Sequence, residues 1–240
     1  MSYITSLLSN IQHRPYPLPE GQFQYYQEWN RAVFLHWKVD YESLRKLVPE
    51  AFNLDQIDGD YYISIVAFSM EKIRPRLLPS LSFLSNFDEV NTRTYIDNDG
   101  KKGVFFINIE GQKLLSCLVA KELSGLPYQK ANIKRSPGQY DSQLDSKDLK
   151  LHIAYEIGNP LKQKKNLDLW LTERYCLYLR HNGQNIRYDI HHKEWEINDV
   201  KIKNLETKYK FGNIDFTNRK PDLTHYSKGV DVISWKKVIL

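Results

Sequence analysis

The stretch NTRTYIDNDGKKGVFFINI, residues 91–109, places two runs rich in β-branched and aromatic side chains on either side of Asp99-Gly100. Such side chains are typical of β-strands. Asp-Gly between two runs of this kind is a strong signal for a two-residue hairpin turn. The stretch therefore predicts an antiparallel hairpin of residues 91–97 and 103–109, with residues 104–109 as a central strand of the fold.

The remainder of the chain follows the same style of short strands and turns. Asn182-Gly183 predicts a second tight hairpin. Helices are predicted after Asp40, from Leu114 to a stop at Gly125-Leu126-Pro127, and around Leu167–Leu171. Further strands are predicted over residues 29–39, 61–68, 151–157, 175–180, 185–190 and 230–235. Many strands with few short helices predict a mainly β (α+β) fold, built as a barrel or as paired sheets.

The bulk composition predicts a single domain. The chain has 240 residues, 41% of them hydrophobic and 26% charged, which is typical of a globular protein. Residues 21–240 show no compositional break and are assigned to one β-barrel-like domain. Residues 1–20 are interpreted as an extended N-terminal arm, because Pro15, Pro17 and Pro19 alternate there and disfavour helix.

Several classes of function are disfavoured by the sequence. The net charge is only +5, the basic and acidic side chains are interspersed, and the sequence contains no nucleic-acid-binding motif. No run of 18 apolar residues and no signal peptide is present, and Cys117 and Cys176 are predicted to be free thiols, so a cytoplasmic location is expected. The histidines lack metal-binding spacing, and no cofactor motif occurs.

One polar strand face is the candidate site. Glu89, Asn91, Arg93 and Tyr95 alternate with a more apolar set, so they share one face of a strand. If this face lines a cavity, Arg93 is suited to bind a carboxylate and Glu89 to act as a catalytic acid or base. The alternative is an exposed face with a surface Glu89–Arg93 pair, which would contribute little to stability.

A set of short motifs resembles the YqjF-like family of conserved proteins of unknown function, over roughly residues 25–236. The motifs are Arg74-Pro75-Arg76, Glu89-x-Asn91-x-Arg93-Thr94-Tyr95, Gly103-Val104-Phe105-Phe106, Leu126-Pro127-Tyr128, Thr172-Glu173-Arg174-Tyr175 and His225-Tyr226-Ser227. This resemblance implies a fold like that of acetoacetate decarboxylase, whose barrel encloses a small acid-binding cavity.

The resemblance also sharpens the candidate site. Glu89 is similar to a glutamate on a central barrel strand of the decarboxylase. The decarboxylase carries two adjacent lysines after a Gly-x-Pro turn; one forms a Schiff base with the substrate, and its neighbour lowers the pKa of that amine. Here Tyr128 and Gln129 follow the turn, and Lys130 lies without a lysine neighbour. Schiff-base decarboxylation is therefore not expected.

Three functions remain open from the sequence. The chain is expected to bind a small organic acid or aromatic compound, with Arg93, Asn91, Tyr95, Tyr128, Arg74 and Arg76 as ligand-binding residues. It is alternatively a lyase or hydrolase-type enzyme that uses Glu89 and Arg93, or a structural or interaction domain with a filled core. The sequence leaves open whether the protein is an enzyme and whether it forms a homo-oligomer. No metal, cofactor, nucleic-acid or membrane partner is expected.

Overall fold

The structure is a computed structural model that describes residues 3–240. Its helices are α1 (Tyr3–Ser9), α2 (Tyr41–Arg45), α3 (Ser82–Ser85), α4 (Leu114–Ser124) and α5 (Asn166–Thr172). Its strands are β1 (Tyr25–Val39), β2 (Tyr61–Pro75), β3 (Phe87–Asn98), β4 (Lys101–Gly111), β5 (Tyr128–Lys130), β6 (Asn132–Ser136), β7 (Gln139–Leu144), β8 (Leu149–Pro160), β9 (Cys176–His181), β10 (Gln184–His192), β11 (Ile197–Lys208), β12 (Lys210–Phe211), β13 (Ile214–Asp215) and β14 (Leu223–Ile239).

A closed barrel forms the centre of the fold. Seven strands follow one another in the order β1-β2-β3-β4-β9-β10-β14, and β14 pairs back onto β1. All these pairings are antiparallel except β4 with β9, where Val104 pairs with Leu177. Closure leaves no free sheet edge around the barrel. The predicted mainly β, acetoacetate-decarboxylase-like barrel with short helices is confirmed.

The predicted hairpin is present as β3 and β4. Asp99 (φ 54°) and Gly100 (φ 74°) both take the left-handed conformation that a tight hairpin turn requires. The helix predicted after Asp40 is α2, and the Asp40 side chain accepts a hydrogen bond from the Ser43 amide at 2.8 Å. The predicted stop at Gly125 is also found, since Gly125 ends α4 in the left-handed conformation.

Two hydrophobic clusters lie on opposite faces of β1, β2 and β3. One fills the barrel and includes Phe34, Val66 and Phe68. The other contains Leu35 and Ile65, their outward-facing neighbours, together with aromatic residues from later strands. The strands β11-β8-β7-β6 continue from β14 and cover this outer face. The central strands are consequently buried on both sides.

The covering strands were only partly predicted. The sequence predicted β8, but not β6, β7 or β11. In β7, Gln139–Leu144, buried Tyr140 and Ser142 alternate with more exposed side chains. One polar residue in the buried set removes the simple apolar alternation on which the sequence analysis relied. Burial of this strand depends on its partners rather than on its own pattern.

The extended arm expected over residues 1–20 is corrected by the structure. Residues 1 and 2 lie outside the described part of the chain, but Tyr3–Ser9 form helix α1. Leu7 of α1 is fully buried against Phe23 and Trp235, and its carbonyl accepts a hydrogen bond from His191 Nε2 at 2.9 Å. The prolines begin only at Pro15, so the restriction that they impose does not reach α1.

The remaining expectations concern cysteines and membranes. Cys117 and Cys176 are both buried and unpaired, as predicted. Of the helices formed by residues 3–240, none is long and apolar enough to cross a lipid bilayer.

Candidate functional site

A small cavity lies inside the barrel, between Glu89 and Arg93 of β3 and the aromatic side chains that face them. Its volume is about 60 Å³. A site needs about 10–15 Å³ of such space to hold one water molecule, so this cavity has room for several waters or for a ligand of a few heavy atoms. It is lined by Gln27, Trp29, Ala32, Phe34, Val66, Phe68, Met70, Glu89, Asn91, Arg93, Phe106, Ile109, Leu126, Tyr128, Leu177 and Trp195.

Glu89 is a buried carboxyl group in the cavity wall. Its Oε1 accepts a hydrogen bond from Asn91 Nδ2 at 3.1 Å, and its Oε2 accepts one from the Tyr128 hydroxyl at 2.8 Å. Burial raises the pKa of Glu89 to about 7, because desolvation penalises the charged carboxylate more than the two hydrogen bonds favour it. Near neutral pH this group can therefore both hold and release a proton.

Arg93 is a buried cation without an anionic partner. It is 7% exposed, and in the described chain, residues 3–240, it takes part in no ion pair. Its Nε and Nη2 atoms have no hydrogen-bond partner. The guanidinium lies over the Phe34 ring, 5.6 Å from the centroid. Burial lowers the pKa of Arg93, although the neighbouring Tyr95 favours the charged form. A guanidinium in such surroundings is costly unless an anion or water compensates it.

Two further polar atoms in the cavity wall are unsatisfied. Asn91 Oδ1 and Trp29 Nε1 are buried and have no hydrogen-bond partner. With Arg93 they supply an acceptor and several donors around one small space. Most buried polar groups in folded proteins are hydrogen-bonded, so a cluster of unsatisfied ones indicates a place where a ligand or water binds.

The residues singled out from the sequence fall into two groups. Glu89, Asn91, Arg93 and Tyr128 line the cavity together. Tyr95 shares their strand face but does not line the cavity. It is fully buried further along the barrel, where its hydroxyl lies 2.5 Å from Ser64 Oγ and 3.2 Å from the Leu171 carbonyl oxygen.

The expected contribution of Arg74 and Arg76 to the cavity wall is corrected. Arg74 lies over the Tyr26 ring at 4.0 Å and borders an open surface groove instead. Arg76 is exposed and hydrogen-bonded to the Gln22 side chain. Both arginines follow the inward-facing part of β2, so the strand has left the barrel interior before it reaches them.

A chain of buried hydrogen bonds occupies the barrel interior beyond Arg93. Asp168 Oδ1 lies 2.9 Å from His225 Nε2, and His225 Nδ1 lies 3.1 Å from His36 Nε2. His36 Nδ1 in turn lies 2.6 Å from Ser64 Oγ. An ionised carboxylate only accepts, so both imidazoles carry their proton on Nε2, and Ser64 donates to His36. Burial lowers the pKa of both His36 and His225, which keeps them neutral.

Trp29 lines the cavity but was not predicted from the sequence to do so. Strand alternation from Phe34 and Ala32 would turn Trp29 outward, but the pairing of β1 with β2 shifts between Asn30 and Val33. Arg31 has a φ of 54° at this irregularity. The extra residue reverses the alternation, so Trp29 and Phe34 line the same cavity. No local signal in the sequence marks that shift.

The described residues provide neither a Schiff-base lysine nor a metal site at the cavity. None of its lining residues is a lysine. Lys130, which follows Tyr128 by two positions, is exposed and donates to the Ala131 carbonyl at 2.7 Å. No group of three or more histidine, cysteine, aspartate or glutamate side chains in residues 3–240 could hold a metal ion.

Comparison with solved structures places this architecture among acetoacetate-decarboxylase-like folds. The acetoacetate decarboxylase of Legionella pneumophila matches with a TM-score of 0.61 at 16% sequence identity, covering 97% of this chain and 96% of that one. The enduracididine biosynthesis enzyme MppR, solved in complex with pyruvate, matches with a TM-score of 0.59 at 9% identity, covering 94% of this chain and 93% of that one. Such low identities establish the fold alone.

Sequence comparison gives the family. The uncharacterized protein YqjF of Bacillus subtilis (strain 168) is 32% identical over 237 residues, which is 95% of this chain and 98% of that protein. The model of the DUF2071 family, described as an uncharacterized conserved protein, matches residues 26–231, the segment that builds the barrel and the cavity. The chain therefore belongs to the DUF2071 family.

Proposed function

We propose that this protein binds a small organic acid in the barrel cavity, with the ligand carboxylate on Arg93. The observation that carries the proposal is the isolation of Arg93, which is buried and has Nε and Nη2 atoms without partners. The fork of the guanidinium matches a carboxylate with two parallel hydrogen bonds. An anionic ligand would supply both the missing charge and the missing acceptors.

The other unsatisfied atoms fit the rest of such a ligand. Trp29 Nε1 is a free donor and Asn91 Oδ1 a free acceptor in the same wall. A carbonyl or hydroxyl oxygen next to the carboxylate would satisfy them. The remaining wall is largely apolar, with Phe34, Phe68 and Met70 among its members. This division into a few polar anchors and an apolar lining is typical of small-molecule sites.

The size of the cavity favours a short acid. A volume of about 60 Å³ is far below the several hundred Å³ of sites for drug-sized ligands. MppR, which shares the fold, has been solved in complex with pyruvate, an oxo acid of three carbons. A ligand of that class would match the volume, the cation and the unpaired donor of this cavity. A purely structural core would leave these polar atoms uncompensated.

Acid–base catalysis by Glu89 is the second candidate function. The pKa of Glu89, raised to about 7 by burial, is suited to proton transfer near neutral pH. Asn91 and Tyr128 hold the carboxyl group in the wall of the cavity that would receive the acid. For a 2-oxo acid, Glu89 would take a proton from the carbon next to the carbonyl and return a proton from its own carboxyl group.

Thermal unfolding with pyruvate tests the proposed binding. At about 100 times its dissociation constant a ligand stabilises the folded state by roughly 2.7 kcal/mol, which corresponds to a rise in Tm of roughly 5–10 °C for a chain of this size. Arg93→Ala should abolish the rise, whereas Arg76→Ala, on an exposed arginine, should preserve it. Acetone, which lacks the carboxylate, should give no rise. An equal rise in Arg93→Ala would place the binding site elsewhere.

Hydrogen–deuterium exchange separates binding from catalysis. If Glu89 acts as a base, pyruvate methyl protons should exchange in D₂O faster with the wild-type protein than with Glu89→Gln, by about 100-fold or more. Glu89→Gln should retain the thermal shift with pyruvate, because Arg93 is unchanged. A retained shift without enhanced exchange in the wild type would leave the protein as a binding protein without this activity.

We also assign the protein to the cytoplasm. Its two cysteines are buried and unpaired, and free thiols are typical of reducing compartments. The only partner that we propose besides further copies of the chain is the small molecule itself.

A further inference from the structure

A group of exposed apolar side chains lies on the outside of the barrel, on α3, α4 and the loop before α3. Leu77 is 84% exposed, Phe83 63% and Leu118 55%. Residues 77–87 and 114–120 contain no charged side chain. We call this surface the α3–α4 face; its exposed apolar residues are Leu77, Leu78, Leu81, Phe83, Leu114, Leu115, Leu118 and Val119.

Helix α4 is apolar on the side that faces solvent. Leu114, Leu115, Leu118 and Val119 are spaced as one helix face, the pattern from which a core-facing helix would be predicted. The opposite side of the helix meets the barrel through smaller residues, among them Ser116 and Cys117, which are buried. The apolar, solvent-facing side of α4 is therefore left uncovered by the rest of the chain.

The α3–α4 face is held together as a unit. The Ser116 hydroxyl of α4 donates to the Leu84 carbonyl of α3 at 2.7 Å. Lys113 Nζ, at the start of α4, donates to the Phe83 carbonyl at 3.2 Å. These contacts fix the two helices relative to one another, so the surface that they present is preformed.

The area of the face fits one side of a stable protein–protein interface. From their exposed fractions, its eight apolar residues present roughly 800 Å² to solvent, which is about the share that each partner contributes to an interface of standard size. The largest apolar patch on a typical monomer is about 300–600 Å². A predominantly apolar surface of this size, with Lys113 as the charged side chain between its two helices, is unfavourable in water and is expected to be covered.

We propose that the α3–α4 face is covered by the same face of a second copy of the chain, in a two-fold symmetric dimer. In such a dimer one patch is matched with itself, so a single preformed apolar surface is sufficient to form the whole interface. Contact with a lipid surface fits α4 less well. An interfacial helix exposes a basic polar side, whereas the side of α4 opposite its leucines carries Ser116 and Cys117 and is buried on the barrel.

The proposed interface lies next to the cavity. Helix α4 ends at Gly125, and the residues that follow, Leu126 and Tyr128, line the cavity. A dimer contact on the outer side of α4 would hold this wall in place from outside. The proposal of the dimer itself rests on the exposed surface and does not depend on the proposed ligand.

The mass of the protein in solution tests the dimer. Sedimentation velocity or light scattering on the purified chain at about 50 µM should give twice the monomer mass of 28.4 kDa. Leu118→Asp and Phe83→Asp should each give the monomer mass with an unchanged circular dichroism spectrum. Ile157→Asp is the matched control, since Ile157 is also apolar and half exposed but lies on β8; it should remain dimeric.

Three outcomes would overturn the proposal. They are a wild-type monomer at that concentration, a dimer that survives in both variants on α3 and α4, and a dimer lost equally in Ile157→Asp. Co-sedimentation with vesicles of phosphatidylglycerol and phosphatidylcholine tests whether the α3–α4 face binds a lipid surface instead. Binding of a monomeric wild type to these vesicles, abolished by Leu118→Asp, would assign the face to a lipid surface instead.

Discussion

The Tyr128 hydroxyl donates a hydrogen bond to Glu89 Oε2 at 2.8 Å, across the wall of the cavity. Tyr128 follows the Gly125-Leu126-Pro127 turn, where the resemblance to acetoacetate decarboxylase would place a lysine. Burial and the neighbouring Glu89 raise the pKa of Tyr128 well above its ordinary value, so the phenol remains protonated. Among the residues that line the cavity, Tyr128 therefore supplies a neutral hydrogen-bond donor and none supplies an amine, so we expect no imine formation there.

Borohydride treatment in the presence of pyruvate should leave no covalent adduct on the chain. Imine formation needs an unprotonated amine at the ligand, and none of the residues that line the cavity is a lysine. Lys130 instead donates to the Ala131 carbonyl on the exposed side of β5. Intact-mass spectrometry should find the unmodified mass for the wild type and for Lys130→Ala. A reduced pyruvate adduct on the wild type, absent from Lys130→Ala, would contradict this prediction.

Arg93→Met should not destabilise the protein. Replacing a buried, unpaired guanidinium by an apolar side chain of similar length removes a desolvation cost, so we expect the free energy of unfolding to stay equal or to rise by about 1–2 kcal/mol. Arg174→Met is the comparison, because Arg174 is buried in an ion pair with Asp55. Its loss should cost about 3–5 kcal/mol by leaving Asp55 unpaired.

Urea unfolding of the two variants measures the contrast. A loss of stability in Arg93→Met as large as that in Arg174→Met would mean that Arg93 has a compensating partner in the folded chain.

Gly103→Ala should be among the most destabilising single substitutions on the barrel. A Cβ atom at Gly103 would lie 2.3 Å from the Cys176 carbonyl oxygen, at the point where β4 meets β9 and closes the barrel. Backbone atoms cannot move aside without breaking this pairing, so we expect a loss of about 3 kcal/mol or more. Gly183→Ala, at a turn with nothing within 4 Å, should cost only the strain of its positive φ of 77°, about 1–2 kcal/mol. Equal losses in urea unfolding would contradict the close contact between Gly103 and the Cys176 carbonyl.

Local signals in the sequence were sufficient for some of the elements, but not for the outer strands or for the alignment of the strands. Asp99-Gly100, Asp40 and Gly125 each restrict the backbone of a few residues, so the hairpin, the start of α2 and the end of α4 could be predicted. The outer strand β11 could not be predicted, because most residues of Ile197–Lys208 are polar or charged and the strand is partly exposed. Its place in the sheet is decided by pairing with β8 and β14, which are distant in sequence.

The candidate site shows the same division. The two-residue period of a strand correctly brought Glu89, Asn91 and Arg93 to one face, and their burial around a cavity followed from the barrel. Trp29 could not be added, because the irregularity near Arg31 reverses the alternation of β1. Ile109 could not be assigned to the cavity wall either, since the pairing of β3 with β4 shifts after Thr92. A shift of register leaves no mark in the residue types on either side.

Ser64→Ala should destabilise the protein through His36. The Ser64 hydroxyl is the donor closest to His36 Nδ1, at 2.6 Å, in a fully buried position. Removing it leaves a buried acceptor poorly satisfied, which costs about 1–3 kcal/mol. Ser9→Ala, on an exposed hydroxyl at the end of α1, should change the free energy of unfolding by less than about 0.5 kcal/mol.

Nitrogen NMR is an independent test of the buried hydrogen bonds that link Asp168, His225 and His36. In the wild type both His36 and His225 should appear as neutral Nε2–H tautomers at pH 7, because Asp168 accepts from His225 and His225 accepts from His36. Observation of an Nδ1–H tautomer at His225 would show that the chain of donors does not run toward Asp168.

Two buried carboxyl groups should make the protein less stable as the pH rises from about 4.5 to 7. Burial raises the pKa of Glu89 and of Glu110, in each case to about 7 from an ordinary value of 4.5. Over this interval the folded chain keeps protons that the unfolded chain has released, so the free energy of unfolding falls with increasing pH. A difference of this size corresponds to about 3 kcal/mol for each group, present in full below pH 4.5 and lost above pH 7.

Glu89→Gln should remove about half of this combined effect, and the double variant Glu89→Gln/Glu110→Gln most of it. Glu50→Gln, on an exposed carboxylate, should leave the wild-type slope unchanged. Urea unfolding at several pH values between 4 and 8 measures these slopes, and a wild-type slope that persists in the double variant would mean that neither carboxyl group holds its proton in the folded state.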